Sequence, residues 1–300
     1  MTHHHEWSIP PSRSPCTRFR TRQCEQIQRQ TTETRRGAPR HTAELRVNHL
    51  ANEHQVDYVL LVNDASPPSI GEIIVVWLDL DLAPEEADSL RAFLNPIEER
   101  RVAGIISPRD RRRAAVRLVR RRQVIADMLD LHPRDVVLGA GENGRPCVVS
   151  PENAHLEFSA SQCGDLSLLA ISSDLRIGVD VESHDDLMDY ARLLTWITTP
   201  DVVERVSQLS DTEQREATLR LWTRKEAYLK ATGQGIGSDL ADVQLPLDSA
   251  PGWQEYQAGP GATRWLLHDL PGPRPELIAT VVVNSHFHGE PPPGIRVLHR

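Results

Sequence analysis

The sequence predicts an α+β fold, and three observations carry that reading. Strand-like and helix-like runs interleave without the regular strand–helix–strand repeat of a doubly wound sheet. Between Val136 and Glu182 successive strand-like runs are separated only by turn residues, which points to a mostly antiparallel sheet. Two long helices with full start signals flank that succession, so the elements divide into two α+β halves. The 300 residues are 39 % hydrophobic and 25 % charged, a balance that buries a core as one large domain or two smaller ones.

Taken in order, residues 1–70 differ from the rest. Segments such as SRSPCTRFRTRQ and RQTTETRRGAPRH are rich in Arg, Thr, Gln and Pro without helical or strand period, and read as a disordered extension or a misplaced start. The three histidines of Met1–His5 are not expected to bind metal. Order is expected from Ile73, where IIVVWLDLDL reads as a strand, and Pro84-Glu85-Glu86 opens a helix that ends before Pro96. Ser107-Pro108-Arg109-Asp110 supplies a capping hydroxyl, a proline at the first helical position and an acid three residues after the cap, so a second helix starts there and runs to Asp130. Leu118, Ile125 and Leu129 mark its core side, while Arg113, Arg117, Arg120 and Arg121 stack on another arc expected to be solvated. VVLGAG, RPCVV, HLEFSAS, LSLLAIS and IGVDVE then read as strands, with Asn143-Gly144 as a hairpin turn. Tyr190 to Val206 is weakly helical, and Ser210-Asp211-Thr212-Glu213 forms a capping box for a long helix reaching Ala231 and closed by Gly233. TRWLLHDL and ELIATVVV are the last strands. The expected organisation is an extension over 1–70, a first half over 71–175, a second half over 176–285 and a tail over 286–300.

Charge and cysteine usage narrow the function classes. The net charge of −8 conceals a band at residues 98–122 with net +7, which suits a compact polyanion better than a long nucleic acid, because the arginines lack interleaved aromatics and any nucleic-acid motif. Cys16, Cys24, Cys147 and Cys163 show no paired spacing, so a reducing cytoplasm is expected. The longest apolar run, Ile73–Leu78, is far below the ~18 residues of a membrane span, and no membrane association is expected. The basic residues are 32 Arg and 2 Lys, and both lysines, Lys225 and Lys230, lie five apart. In so Arg-biased a chain they mark sites where a guanidinium cannot replace a primary amine.

Two short patterns carry chemistry. In Ile177-Gly178-Val179-Asp180-Val181-Glu182 the period of two turns Ile177, Val179 and Val181 to the core and projects Asp180 and Glu182 together from the other face. Neighbouring same-face positions lie roughly 7 Å apart, close enough for two carboxylates to share one hard cation. On the capped helix, Glu226 and Lys230 are four apart on one face. As a surface pair they would contribute only ~0.3 kcal/mol, but if Glu226 approaches Asp180 and Glu182 the three carboxylates make a Mg²⁺ site with Lys230 beside a bound phosphate.

With these residues the sequence resembles the 4'-phosphopantetheinyl transferase superfamily, in its surfactin-synthetase-activator type. IGVDVE at 177–182 is similar to the family's G-[IV]-D-[ILV]-E block, WTRKEAYLKATGQG at 222–235 to its W-x-x-K-E-A-x-x-K block, and NGRPCVV at 143–149 to its G-[KR]-P block. The similarity runs from about Ile73 to about Val283. It implies a pseudo-twofold pair of α+β halves with coenzyme A bound between them. The implied reaction is Mg²⁺-dependent transfer of the 4'-phosphopantetheine arm of coenzyme A to a serine of an apo acyl or peptidyl carrier protein, releasing 3',5'-ADP, by a monomeric enzyme. By position, Asp180, Glu182 and Glu226 would hold the metal, Glu226 or water on the metal would take the serine proton, and Lys230 would assist proton movement and stabilise charge at the pyrophosphate. Lys225, off that face, would bind phosphate or support the helix.

The resemblance also sorts the arginines. Arg145 of the G-R-P block, Arg101, and Arg112 or Arg113 fall where the family contacts the phosphates or adenine of coenzyme A, and Ser161 keeps a hydroxyl in the same neighbourhood. Gln162 stands where the family has a phosphate-contacting histidine, and it can donate a hydrogen bond but carry no charge. The second reading is therefore a catalytically weakened homologue that binds coenzyme A or a carrier protein without efficient turnover.

Overall fold

The computed structural model describes residues 59–61, 66–141, 144–184, 188–235, 240–259, 261–285 and 292–300. Most of the 1–70 extension, Asn143 of the hairpin turn and residues 286–291 lie outside the described residues.

Burial on both faces of a strand decides the layering. β2 (Glu72–Asp79) is apolar without alternation because both its faces are covered. Ile73, Val75 and Trp77 enter one core cluster, and Ile74, Val76 and Leu78 enter another. β2 lies inside a five-stranded sheet of order β1-β11-β2-β6-β5, with β1 at Val59–Leu61, β5 at Glu157–Cys163, β6 at Leu166–Ser172 and β11 at Gly294–His299. A four-stranded sheet has the order β7-β10-β9-β8, with β7 at Ile177–Ser183, β8 at Gln254–Gln257, β9 at Arg264–Leu270 and β10 at Leu277–Ser285. The chain crosses between the sheets in the short turn from β6 to β7, and β3 (Val137–Ala140) with β4 (Pro146–Ser150) forms a separate hairpin.

The sheets share the first cluster, in which Ile73, Val75 and Trp77 meet Ile177, Val179, Val181, Ala279, Val281 and Val283. The second cluster packs the other face of the five-stranded sheet on Val124, Ile125 and Met128 of α3 (Pro108–Met128). Ahead of α3 come α1 (Pro84–Arg91) and α2 (Pro96–Ala103), and after β7 come α4 (Tyr190–Ile197), α5 (Pro200–Ser207) and α6 (Asp211–Thr232). α3 starts on the Ser107 hydroxyl, which accepts from Asp110 N at 3.3 Å, and α6 starts with Glu213 accepting from Ser210 N at 2.9 Å. α6 ends on Gly233 in the left-handed region, φ 75°.

Three expectations need correction. Residues 294–299, expected in a tail, form β11, which pairs in parallel with β1 and β2 and buries Ile295, Val297 and Leu298. Val59–Leu61, expected in the extension, form β1 on the other side of β11. The first helix ends before Pro96 as expected, and Asn95 and Glu98 then make a reciprocal capping box that starts an additional helix, α2, with the proline at its first position. The weak helix from Tyr190 divides at Thr198–Pro200 into α4 and α5, where Pro200 again opens the second piece. Among the described residues no helix is long and apolar enough to cross a membrane.

Candidate active site where helix α6 meets strand β7

The missing side chain at Gly178 is what brings α6 to β7. A Cβ there would stand 2.0 Å from Ala227 O and 2.4 Å from Ala231 N, so the helix backbone lies directly on the strand at the residues following Glu226 and Lys230. Because β7 alternates, Gly178, Asp180 and Glu182 face the helix while Ile177, Val179 and Val181 are fully buried in the core between the sheets.

On that face Lys230 Nζ donates to Asp180 Oδ1 at 2.6 Å, to Val179 O at 3.1 Å and to Ser161 Oγ at 3.2 Å. Ser161 Oγ donates to the same Asp180 oxygen at 2.6 Å, and two residues earlier on β5 Ser159 Oγ accepts from Val179 N at 3.1 Å. Trp222 Nε1 points at Glu182 Oε1 across 3.4 Å, and the exposed Trp196 ring tilts against Trp222 with centroids 5.8 Å apart. Asp180, Glu182 and Glu226 are 3 %, 8 % and 8 % exposed. Burial raises the Glu226 carboxyl to about 7, with repulsion from Asp180 and Glu182 adding to it and Lys230 opposing. Burial works against the Lys230 charge, but Asp180 and Glu226 outweigh it, and its pKa is raised.

Three buried carboxylates face one ammonium, and Asp180 Oδ2 and Glu226 Oε1 have no hydrogen-bond partner. Among the described residues no three His, Cys, Asp or Glu side chains are drawn into a closed coordination set, since Lys230 holds the other Asp180 oxygen. The donors nevertheless fit a hard divalent cation, because unpaired buried oxygens are costly and all of them are carboxylate.

The rest of α6 is pinned by contacts away from β7. Arg224, 1 % exposed, makes a fork to Asp269 at 3.1 and 2.6 Å, and Thr280 Oγ1 donates to the same carboxylate at 2.9 Å. Lys225 Nζ donates to Ile197 O and Leu240 O at 2.6 Å each, so it ties the end of α4 and the loop at 240 to α6. Arg145 Nη1 donates to Ala231 O at 2.8 Å while Nη2 reaches Glu157 Oε2 at 2.7 Å and Ile177 O at 3.2 Å. The sequence-predicted phosphate contact thus clamps the last turn of α6 to β5 and β7.

The other sequence-predicted residues are dispersed. Ser161 joins the cluster, whereas Gln162 alternates to the other side of β5 and donates to Gly164 O at 3.2 Å. Arg101 and Arg112 are exposed. Arg113 is buried and forks onto Asp81 at 2.6 and 2.7 Å, so the arginine arc of α3 is not the solvated face expected. Sequence reasoning missed Gly178 and Ser159, although each lies two residues from a residue it selected and so shares that residue's face. It also missed the Trp222 contact to Glu182 and the Arg224–Asp269–Thr280 anchor, which depend on tertiary packing.

Residues 176–282, from the turn before β7 to within β10, match the family model of the 4'-phosphopantetheinyl transferase superfamily. The chain is 29 % identical over 178 residues to the 4'-phosphopantetheinyl transferase ffp of Bacillus subtilis, covering 59 % of this chain and 74 % of that protein. It is 27 % identical over 207 residues to the 4'-phosphopantetheinyl transferase HetI of a Nostoc species, covering 65 % and 87 %. It is 31 % identical over 184 residues to a phosphopantetheinyl transferase of a Thraustochytrium species, covering 57 % and 64 %.

Proposed function

We propose, for a chain that belongs to the 4'-phosphopantetheinyl transferase superfamily through residues 176–282, that it transfers the 4'-phosphopantetheine arm of coenzyme A to a serine of an apo carrier protein, releasing 3',5'-ADP. The observation that carries this reading is the juxtaposition of Glu226 and Lys230 on α6 with Asp180 on β7, joined by the 2.6 Å contact of Lys230 to Asp180. The pseudo-twofold reading is supported by the long helix that backs each sheet, α3 on one and α6 on the other.

In the reaction the serine Oγ forms a bond to the pantetheine-bearing phosphorus, the bridging P–O bond breaks, and 3',5'-ADP leaves with the electron pair. Asp180, Glu182 and Glu226 would hold Mg²⁺, which when bound supplies charge to the pyrophosphate oxygens. Glu226, whose Oε1 has no hydrogen-bond partner, would accept the serine proton. Lys230 keeps its proton and acts as a positive donor toward the pyrophosphate, so its part in proton movement is to hold a proton rather than remove one. Asp180 and Ser161 fix the amine in place. The Arg145 clamp fixes the helix turn that bears it.

Incubation with Mg²⁺, coenzyme A and a panel of apo carrier proteins, followed by mass spectrometry of the carrier, tests the reading. A phosphopantetheine adduct is expected with the native chain and not with Asp180→Ala. Absence of an adduct on every carrier, with the protein folded, would refute it.

A further inference from the structure

β5 and β7 are edge strands of different sheets, and they lie side by side without pairing as a ladder. In an antiparallel pair, residues alternate between those whose N–H and C=O meet the partner strand and those whose groups face away. Val179, opposite Val281 on β10, is of the second kind, because its N–H and C=O leave the sheet on the outer edge of β7. The residue is fully buried, so both groups need partners there. Ser159 Oγ accepts from Val179 N at 3.1 Å, and Lys230 Nζ donates to Val179 O at 3.1 Å.

The period of two on β5 repeats this arrangement along the seam. Ser159, Ser161 and Cys163 reach Val179 N, Asp180 Oδ1 and Ser183 Oγ in turn, at 3.1, 2.6 and 3.2 Å. The two sheets therefore meet through side chains where a continuous sheet would have carbonyls. That difference sets the spacing. Ladder neighbours stand about 4.7–4.9 Å apart, whereas Ser159 reaches the amide through its side chain and so holds β5 farther from β7. Lys230 Nζ lies in the resulting opening, donating to Ser161 Oγ on one side and to Val179 O on the other. A backbone carbonyl in place of the Ser159 hydroxyl would close it.

We infer that Ser159, 4 % exposed, is a positioning residue of the transfer site. By holding the amide of Val179 it fixes the residue that precedes Asp180, and with it the opening in which Lys230 meets the Asp180 carboxylate. The inference rests on the proposed roles of Asp180 and Lys230, and Ser159 acts through Val179 rather than on the reacting atoms. A carboxylate that is to share a cation with Glu182 and Glu226 needs its backbone held as firmly as its oxygens, and groups that orient such ligands typically matter about 10–100-fold to metal affinity or rate.

Ser172 supplies the control. Its hydroxyl is also fully buried and also accepts from a backbone amide, Leu175 N at 3.2 Å, but in the turn that joins β6 to β7. Ser159→Ala and Ser172→Ala each strip the acceptor from a backbone amide, so both should lower the unfolding midpoint by about 2–6 °C. Only Ser159→Ala should lower kcat for carrier modification, by about 10–100-fold per folded molecule, with KM for coenzyme A changed by less than about twofold. The affinity for Mn²⁺ alone, followed by electron paramagnetic resonance of the free ion, should fall about tenfold in Ser159→Ala and hold in Ser172→Ala. Ser159→Cys puts a weak acceptor in a similar volume and should show the same division, so it serves where the alanine variant does not fold. Wild-type kcat and Mn²⁺ affinity in the Ser159 variants, or equal losses in Ser172→Ala, would overturn the inference while leaving the transferase reading intact. A wild-type chain that modified no carrier would refute that reading, and this inference with it.

Discussion

Gly178→Ala tests whether the contact of α6 with β7 builds the site. The new Cβ would lie 2.0 Å from Ala227 O and 2.4 Å from Ala231 N, against 3.4 Å or more for ordinary contact. Both obstacles are backbone atoms in a helix pinned by Arg224 and Lys225, so neither can rotate away. Restoring contact requires a retreat of about 1.4 Å, which would stretch the 2.6 Å Lys230–Asp180 bond to about 4 Å, beyond hydrogen-bonding range. Overpacking of this kind costs about 1–3 kcal/mol, or about 2–10 °C in unfolding midpoint. A misplacement of about 1 Å at reacting groups lowers a rate on the order of 10²-fold. The assay pairs thermal unfolding with the initial rate of carrier modification by mass spectrometry. Gly294→Ala, where an added Cβ meets nothing within 4 Å, serves as control and should leave both unchanged. Wild-type midpoint and rate in Gly178→Ala would refute the reasoning, because helix and strand would then be free to separate without consequence.

Other substitutions probe the remaining links. Lys230→Arg should lower transfer by about 10²-fold or more, since a planar fork cannot replace one ammonium that donates to Asp180, Val179 O and Ser161 at 2.6, 3.1 and 3.2 Å; full activity would show the amine to be incidental. Lys225→Met leaves Ile197 O and Leu240 O without their buried donor and should cost about 2–4 kcal/mol in urea unfolding, while the rate per folded molecule is retained. Asp81 is held well below its ordinary 3.8, first by the hydrogen bond from Arg113 and then by Arg109, against the opposing effect of burial. Its contribution to stability is therefore present above that ordinary value and lost as pH falls through the depressed one. Asp81→Asn should lower the midpoint near neutral pH and flatten its fall below about pH 4; an acid branch as steep as that of the wild type would count against the pair.

Much of the site was legible because short-range periodicity specifies it. The period of two on β7 and the four-residue spacing on α6 put Asp180, Glu182, Glu226 and Lys230 on definite faces, and Ser210 and Gly233 marked where α6 begins and ends. The rest depends on partners distant in sequence. Arg113 reads as one of a solvated row until Asp81, which precedes α1, is seen to lie under it. Arg145 reads as a phosphate contact until Ala231 and Ile177 are seen to accept from it. β11 is read as a tail because its partners, β1 and β2, lie more than two hundred residues earlier and pair with it in parallel, a relation that leaves no local turn signal. α2 was missed for a different reason, since a proline can stop one helix and start the next, and only Asn95 and Glu98 around it distinguish the cases.

The two lysines show how far composition can be taken. Their rarity selects both, and both prove to be buried or partly buried donors on α6, yet they do opposite work. Lys225 faces backbone carbonyls, where a compact amine can turn its protons to Ile197 O and Leu240 O. Lys230 faces a carboxylate cluster whose oxygens are only partly paired, and its raised pKa keeps the positive charge where a pyrophosphate would meet it. The direction of the side chain separates them: the helical step of about 100° per residue carries position 225 off the face that 226 and 230 share. An amine preserved in an arginine-rich chain therefore marks a confined donor position, and only the groups it donates to decide whether that position holds the fold or serves the reaction.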